Sequence, residues 1–437
     1  MTEENRMANG AGRTRREILK AGAAGAVGTA ALSAGFPSIV RAADTVRIGY
    51  VSPRTGPLAP FAVSDEFNVA SILEAIGGKV QSGGKSLDVE IVVKDSQSNP
   101  NRAAEVASEL ILSDEVHLLC GGNTPETTNP VADQAEINEV PCVTTLCPWQ
   151  PYFFGRGGNP AEGFQWTYHY FWGLEDIIAV FLNLWAKIET NKMVGGLYPN
   201  DGDGNAWGDP ELGFPKPLAA AGYTLIDPGR YQNLTDDFSA HISEFKENGV
   251  EIVTGVVLPP DFTTFWTQAA QQGFRPKAAT VGKALLFPEA IGALGEAGHN
   301  MSSEIWWSPS HPFTSSITGQ TCGELAAAFT AATGKQWSQP VGYGHSIFEV
   351  ALDVVSRAED INDTEAMLAS IVSTNISTIA GPVSWGSGPV KNVAKMPLVG
   401  GQWRRTPDGP FDYDLTITSN ETAPDVPTNA EMELISY

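Results

Sequence analysis

The sequence predicts an α/β fold built from two doubly wound parallel sheets, and two observations carry this. Short apolar, β-branched runs alternate with helical patterns along most of the chain, and the alternation stops and restarts once near the middle. Strand and helix taking turns for this long implies parallel sheets covered on both faces. An interrupted series implies two of them. In the first series the strands are "VRIGYV" from Val46, "VEIVVKD" from Val89, "VHLLCGG" from Val116 and "PCVTTLC" from Pro141. Between them, "NRAAEVASELILSDE" puts Ala103, Val106 and Leu110 on one helical face, and "TNPVADQAEINEV" follows the third strand. A helix over residues 173–189 leads into the second series. Its strands are "KMVGGLY", "YTLID", "VEIVTGVVL" and "KAATVG", and its helices are "ELGFPKPLAAAG", "DDFSAHISEFKENG" and "DFTTFWTQAAQQG". Each doubly wound sheet has its ligand crevice at the carboxyl ends of its strands.

The N-terminus bears on the compartment. "TRREILK" over residues 14–20 pairs two arginines with apolar residues, a Gly/Ala-rich apolar run follows, and "VRAAD" supplies a small-residue cleavage pattern. This resembles a twin-arginine export signal read by the twin-arginine machinery. Cleavage is expected near Ala42 or Ala43, and with no Cys after it the expected product is a periplasmic protein without a lipid anchor. The full chain of 437 residues carries 27 basic and 50 acidic residues. Residues 1–43 hold six of the basic and three of the acidic ones, which leaves 21 against 47, a formal charge of −26. Such a surface repels nucleic acid and anionic lipid. Roughly 390 remaining residues exceed one core and suit two lobes. The apolar run "IIAVFLNLWA" is too short to span a bilayer. Cys120, Cys142, Cys147 and Cys322 show no zinc or redox spacing and read as buried thiols.

The crevice rule directs attention to the segments that follow strands. "GGNTPE" is the most legible: Gly121 and Gly122 suit a tight turn, Thr124 is a good N-cap, and Pro125 falls at the first helical position. A helix N-terminus there offers N–H groups and partial positive charge to a carboxylate. The competing reading is that Thr124 only caps its own helix. "NDGDGNAWGD" opens like a calcium loop, with Asp201, Asp203 and Asn205 alternating. It then has Ala206 where the turn needs Gly and Leu212 where a bidentate Glu should close the cage. No metal is therefore expected. As a loop after a strand, the segment presents Trp207 to the crevice or packs it on its own lobe.

The order of "IGYVSPRTGPLAPF", "VEIVVKDSQSNPNRAAEVASELI", "VPCVTTLCP", "DDFSAHISEFKENGVEIVTGV" and "AGPVSW" resembles the type I periplasmic binding proteins of the leucine/isoleucine/valine-binding branch. The resemblance covers nearly all of residues 46–404. It implies a receptor of an ABC importer that takes up amino acids, amides or related small carboxylates and hands them to a membrane permease, without a cofactor. It also implies two lobes crossed three times, near Phe171, near Trp307 and near residues 381–385. The lobes would comprise 44–171 with 308–384, and 172–307 with 385–404, followed by a polar tail over 405–437 that packs at most one strand, "YDLTIT", against a lobe. Carried over by position, Phe61 is an aromatic wall. Asn123, Thr124, Glu126 and Thr127 sit at the carboxylate-receiving helix start, and Leu146, Cys147 and Pro148 face it, with Trp149 nearby. In the second lobe Trp207 covers the ligand and Asp261 lines the cleft. Lys283 departs from the pattern, since amino-acid receptors of this branch place an acid over 283–285 for the ligand ammonium. That implies an organic acid or amide with an apolar or aromatic body, unless Asp261 or Glu126 replaces the acid or Lys283 meets a second anionic group. Trp306 and Trp307 are assigned to a strand or hinge, with no ligand role.

Two other classes compete with this reading. A secreted hydrolase has candidate parts in Asp261, His241, His311 and His345, but the sequence has no G-x-S-x-G or H-E-x-x-H motif. A ligand sensor of the same fold is the second alternative.

Overall fold

The computed structural model describes residues 45–437, which belong to one compact unit. The expected export signal and its cleavage site lie outside the described residues. The first sheet comprises β1 (Thr45–Ser52), β2 (Lys79–Ser82), β3 (Lys85–Asp95), β4 (Leu118–Gly122), β5 (Cys142–Thr145), β6 (Thr167–Tyr170) and β15 (Val393–Ala394). Its order is β2-β3-β1-β4-β5-β6-β15, parallel except for the β2–β3 hairpin. The second contains β7 (Met193–Pro199), β8 (Thr224–Ile226), β10 (Ile252–Val257), β11 (Ala278–Lys283), β12 (Ser302–Ile305), β16 (Val399–Arg405) and β17 (Tyr413–Ser419). The order there is β8-β7-β10-β11-β12-β16-β17, with β16 and β17 antiparallel and a short β9 (Arg230–Tyr231) beside β7. A separate hairpin joins β13 (Asn375–Thr378) to β14 (Gly381–Ser384).

Local chemistry accounts for the elements that frame the cleft. The helix Pro100–Leu112 starts on Asn99, whose side chain accepts from the Asn101 and Arg102 N–H groups, and it buries Ala103, Val106, Ala107 and Leu110 on one face. The helix Leu174–Trp185 begins at Gly173, whose N–H donates to Asp176 at 2.9 Å. Its Trp185 Nε1 donates to Thr280 Oγ1 at 2.9 Å, which seats the helix on the second sheet. Gly122 is strand residue rather than turn residue, contrary to expectation. A Cβ there would lie 2.1 Å from the Thr145 carbonyl oxygen, so only glycine permits the close approach of β4 and β5.

The chain passes between the sheets after β6 at 171–173, after β12 at 306–307, and between β15 and β16 at 395–398. The third passage was expected at 381–385. Those residues instead form β14 and its return, and β15 still pairs with β6. Lys395 fastens this third passage to the first through ion pairs of 2.8 Å to both Glu175 and Asp176. The C-terminal segment contributes β17 and then runs over the second lobe, where Ile435 N–H donates to the Lys277 carbonyl at 2.8 Å. All four cysteines are buried and free. Among the described residues no helix is long and apolar enough to cross a membrane.

Candidate functional site

The carboxyl ends of the two sheets meet across a narrow cavity of about 30 Å³, room for one or two waters. Phe61, Asn123, Leu146 and Pro148 line it from the first lobe, each from a segment that follows a strand. Phe171, Trp172 and Trp306 line it from the first two passages. Asp203, Trp207, Val256, Lys283, Leu286 and Glu304 line it from the second lobe. Phe61 meets Phe287 edge-on across the lobes, with ring centroids 5.0 Å apart.

At the first-lobe wall, Thr124 is the N-cap of the helix Pro125–Ile137, but its hydroxyl makes no capping bond. It lies 3.4 Å from the Thr127 hydroxyl, while the Thr128 hydroxyl accepts from the Asn123 N–H at 2.9 Å. The Asn123 amide nitrogen is buried with no hydrogen-bond partner, as is the Trp172 indole nitrogen. This wall therefore presents donors.

The second-lobe wall carries the charges. Lys283 adopts φ +64°, a left-handed conformation that costs a non-glycine residue energy and recurs at functional sites. Its Nζ lies 2.7 Å from Asp203 Oδ2 and 3.9 Å from Asp201. Burial works against the ammonium, but Asp203, Asp201 and Glu126 outweigh it and keep Lys283 charged. Burial pushes the Glu304 carboxyl up to about 7, although Ser303 and nearby N–H groups pull it down. Ser303 Oγ donates to Glu304 Oε2 at 2.8 Å. Trp207 is stacked on Phe214 at 5.0 Å and touches Phe181, yet it also lines the cavity, so both expected placements hold for one side chain. Gly282 makes the room: a Cβ there would lie 2.8 Å from Trp207 Cη2 and 3.2 Å from Glu304 Oε1.

The segment that resembled a calcium loop is the helix Gly202–Trp207. Asp201 caps it by accepting from the Gly204 N–H at 2.8 Å and also accepts from Asn233 Nδ2, and Asp203 is committed to Lys283.

A sequence profile described as periplasmic binding protein matches residues 45–408. The chain is a periplasmic binding protein. A leucine-, isoleucine-, valine-, threonine- and alanine-binding protein of Pseudomonas aeruginosa is 32% identical over 112 residues, 25% of this chain. The match spans 29% of that relative's length. In structure, this periplasmic binding protein is similar to the leucine-binding protein LivK of Thermotoga maritima, with 20% identity and a TM-score of 0.67 over 86% of this chain and 99% of that one. A solute-binding protein of an ABC transporter from Rhodopseudomonas palustris, solved with 3,4-dihydroxybenzoic acid, has 17% identity and a TM-score of 0.69 over 87% and 98%. At these identities the two structures speak for the fold.

Of the residues anticipated from sequence, Phe61, Asn123, Leu146, Pro148, Trp207 and Lys283 come together at the cavity, and Thr124 and Thr127 sit buried at the adjoining helix start. Four others do not line it. Glu126 points along the outer face and accepts from the Gly202 N–H of the opposite lobe at 2.5 Å. The Cys147 carbonyl meets His169 Nε2 at 2.9 Å, within the first lobe. Trp149 donates its indole N–H to Glu175 at 3.2 Å near the first passage. Asp261 accepts from the Leu234 N–H at 3.0 Å, on its own lobe. Neither Asp261 nor Glu126 is the cavity's acid. Asp203 and Glu304 are, and the sequence reading missed both as ligand candidates, along with Phe171, Trp172 and Trp306. The serine–histidine contacts Ser315–His345 and Ser308–His311 are buried and line no part of the cavity.

Proposed function

We propose that this chain captures a small carboxylate-bearing solute between its two lobes and delivers it to the permease of an ABC importer. The observation that carries the reading is the donor wall. Asn123 Nδ2, next to the helix start at Thr124–Pro125, and Trp172 Nε1 of the first passage, which lines the same cavity, are buried without partners, and a buried donor left unpaired costs about 1–3 kcal/mol. A ligand carboxylate answers both and gains from the helix N-terminus. The ligand classes named for the Pseudomonas and Rhodopseudomonas proteins, amino acids and an aromatic acid, share that group. Binding requires the lobes to part and close again, because about 30 Å³ holds no organic solute. "TRREILK" and the small-residue pattern before Asp44 support export by the twin-arginine machinery, cleavage near Ala42 or Ala43, and action in the periplasm.

The test is thermal melting of the full chain against amino acids, amides, aliphatic acids and aromatic acids. A solute at about a hundred times its dissociation constant should add roughly 2.7 kcal/mol and raise the midpoint by some degrees. A panel in which no carboxylate shifts the midpoint while uncharged amides do would overturn the reading.

A further inference from the structure

Beside the cavity the lobes also leave an open groove of about 520 Å³, large enough for a small organic molecule. Segments 123–126, 148–151, 171–174 and 202–207 each line both, the cavity with some residues and the groove with others a few positions away. The groove is therefore the outward continuation of the cleft, and at their border Glu126 accepts from the Gly202 N–H across the lobes. Its surface is chiefly apolar. Phe154 of the first lobe is 42% exposed and Leu212 of the second 57%, and both stand on this groove. Large apolar side chains left singly in water are ordinary, but two that line one concave surface from opposite lobes mark a place where something apolar sits. The charged residues of the groove, Glu126 and Asp209, are both acidic. Each is already engaged with backbone, Asp209 accepting from the Glu211 and Leu212 N–H groups at 2.9 Å. The groove thus has room for an uncharged chain and no cation for a second anion.

We infer that the groove is a second subsite for the solute, which is a monocarboxylate with an unbranched apolar tail. The carboxylate lies at the donor wall, and the tail passes the rim at Glu126 and lies between Phe154 and Leu212. This rests on the reading that the cleft binds a small carboxylate. The two subsites divide the work. The donor wall recognises the charge that every such acid shares, and the groove measures the length of what is attached to it. Each methylene that reaches the groove leaves water, so affinity climbs with chain length until the groove is filled. A carboxylate at the far end would meet Glu126 and Asp209 and be turned away. Because the groove has walls from both lobes, a tail in it also holds the lobes together.

Butanoate, hexanoate, octanoate and decanoate, titrated calorimetrically into the full chain, test this. Affinity should rise roughly threefold for each methylene added beyond the length that fills the cleft. Octanedioate, which is octanoate with its terminal methyl replaced by a carboxylate, should bind roughly tenfold or more weaker than octanoate. Leu212→Asp should cut the ratio of decanoate to butanoate affinity by about tenfold while circular dichroism stays unchanged. Phe154→Asp, on the other lobe, should do the same and decides the matter if the first variant fails to fold. Short acids that bind while affinity stays level from butanoate to decanoate overturn the subsite and leave the cleft reading intact, and so does a rise with length that neither variant lowers. Octanedioate matching octanoate also overturns it. A dimer in sedimentation that Leu212→Asp dissolves would give the groove to a second copy of the chain, which overturns it too. No binding by any carboxylate overturns the cleft reading itself.

Discussion

The two lobes share one topology and differ in what that topology presents. With the antiparallel hairpin strand β2 left aside, the first strand of each sheet lies between the second and the third, so β3-β1-β4-β5-β6 corresponds to β8-β7-β10-β11-β12. The helices after β4 and after β10 both open with proline, at Pro125 and Pro259. The first is preceded by Asn123, which lines the cavity, and by the buried Thr124. The second is preceded by Leu258, and its first-turn Asp261 is bonded within its own lobe. The fourth strands end alike too, in left-handed residues, Leu146 at φ +69° and Lys283 at φ +64°. One is apolar and the other holds the buried ion pair. The fold therefore supplies two equivalent sets of positions, and residue choice at the strand ends makes one wall a donor and the other an acid.

The largest effect should come from breaking the acidic wall's own charge pair. Lys283→Met leaves Asp203 buried without its cation, and urea denaturation should show a loss of about 3–5 kcal/mol, with most of it recovered when Asp203→Leu is added. A single variant as stable as the wild type would mean that Asp203 does not depend on Lys283 for its counter-charge.

A slightly smaller effect should separate the lobes by pH. Burial raises the Glu304 carboxyl from its ordinary 4.5 to about 7, so the folded protein holds this proton more tightly than the unfolded chain. Its stabilising contribution is complete below about pH 4.5 and is lost as pH climbs through about 7. That rise corresponds to roughly 3 kcal/mol. Relative to Glu304→Gln, which cannot ionise, the wild type should lose up to that amount between about pH 5 and pH 8, read from denaturation midpoints across the range. A difference that stays flat with pH would place a counter-charge beside Glu304.

The smallest effect should appear where the lobes touch. Glu126 of the first lobe accepts from Gly202 N–H at the start of a second-lobe helix. Glu126→Gln keeps an acceptor and loses the charge, which is worth less than about 1 kcal/mol at a helix N-terminus. Ligand release, followed by tryptophan fluorescence in stopped flow, should quicken by no more than about fivefold. A much larger change would move Glu126 from the rim into the binding site.

What the sequence disclosed of the site followed one rule, that ligands sit beyond the carboxyl ends of parallel strands. Asn123, Leu146, Trp207 and Lys283 obey it visibly because each follows a recognisable apolar run. Glu304 was hidden because β12 reads "SSEI", a buried strand made of polar residues that shows neither alternation nor an apolar run. Asp203 was hidden by its neighbours, since alternating Asp201, Asp203 and Asn205 suggest metal ligation until Lys283 is brought to them from 80 residues away. Trp172 and Trp306 belong to the passages between lobes, where no periodicity marks a binding residue. The third passage was misplaced because "GPVSW" has the strand character of β14, whereas 395–398 carries no comparable signal.

The placement of β16 and β17 sets an order of events during synthesis. β12, which bears Glu304, is flanked by β11 on one side and by β16 on the other, and β16 begins only at Val399. The ribosome makes the whole of 308–394, most of it first-lobe structure, between these two neighbours. For that interval β12 is an open edge, with its backbone N–H and C=O groups available to any other extended segment. The acidic half of the site is consequently sealed only after most of the first lobe has been made, and a chain stopped short of Val399 would carry the first lobe nearly whole beside a sticky, unfinished second one.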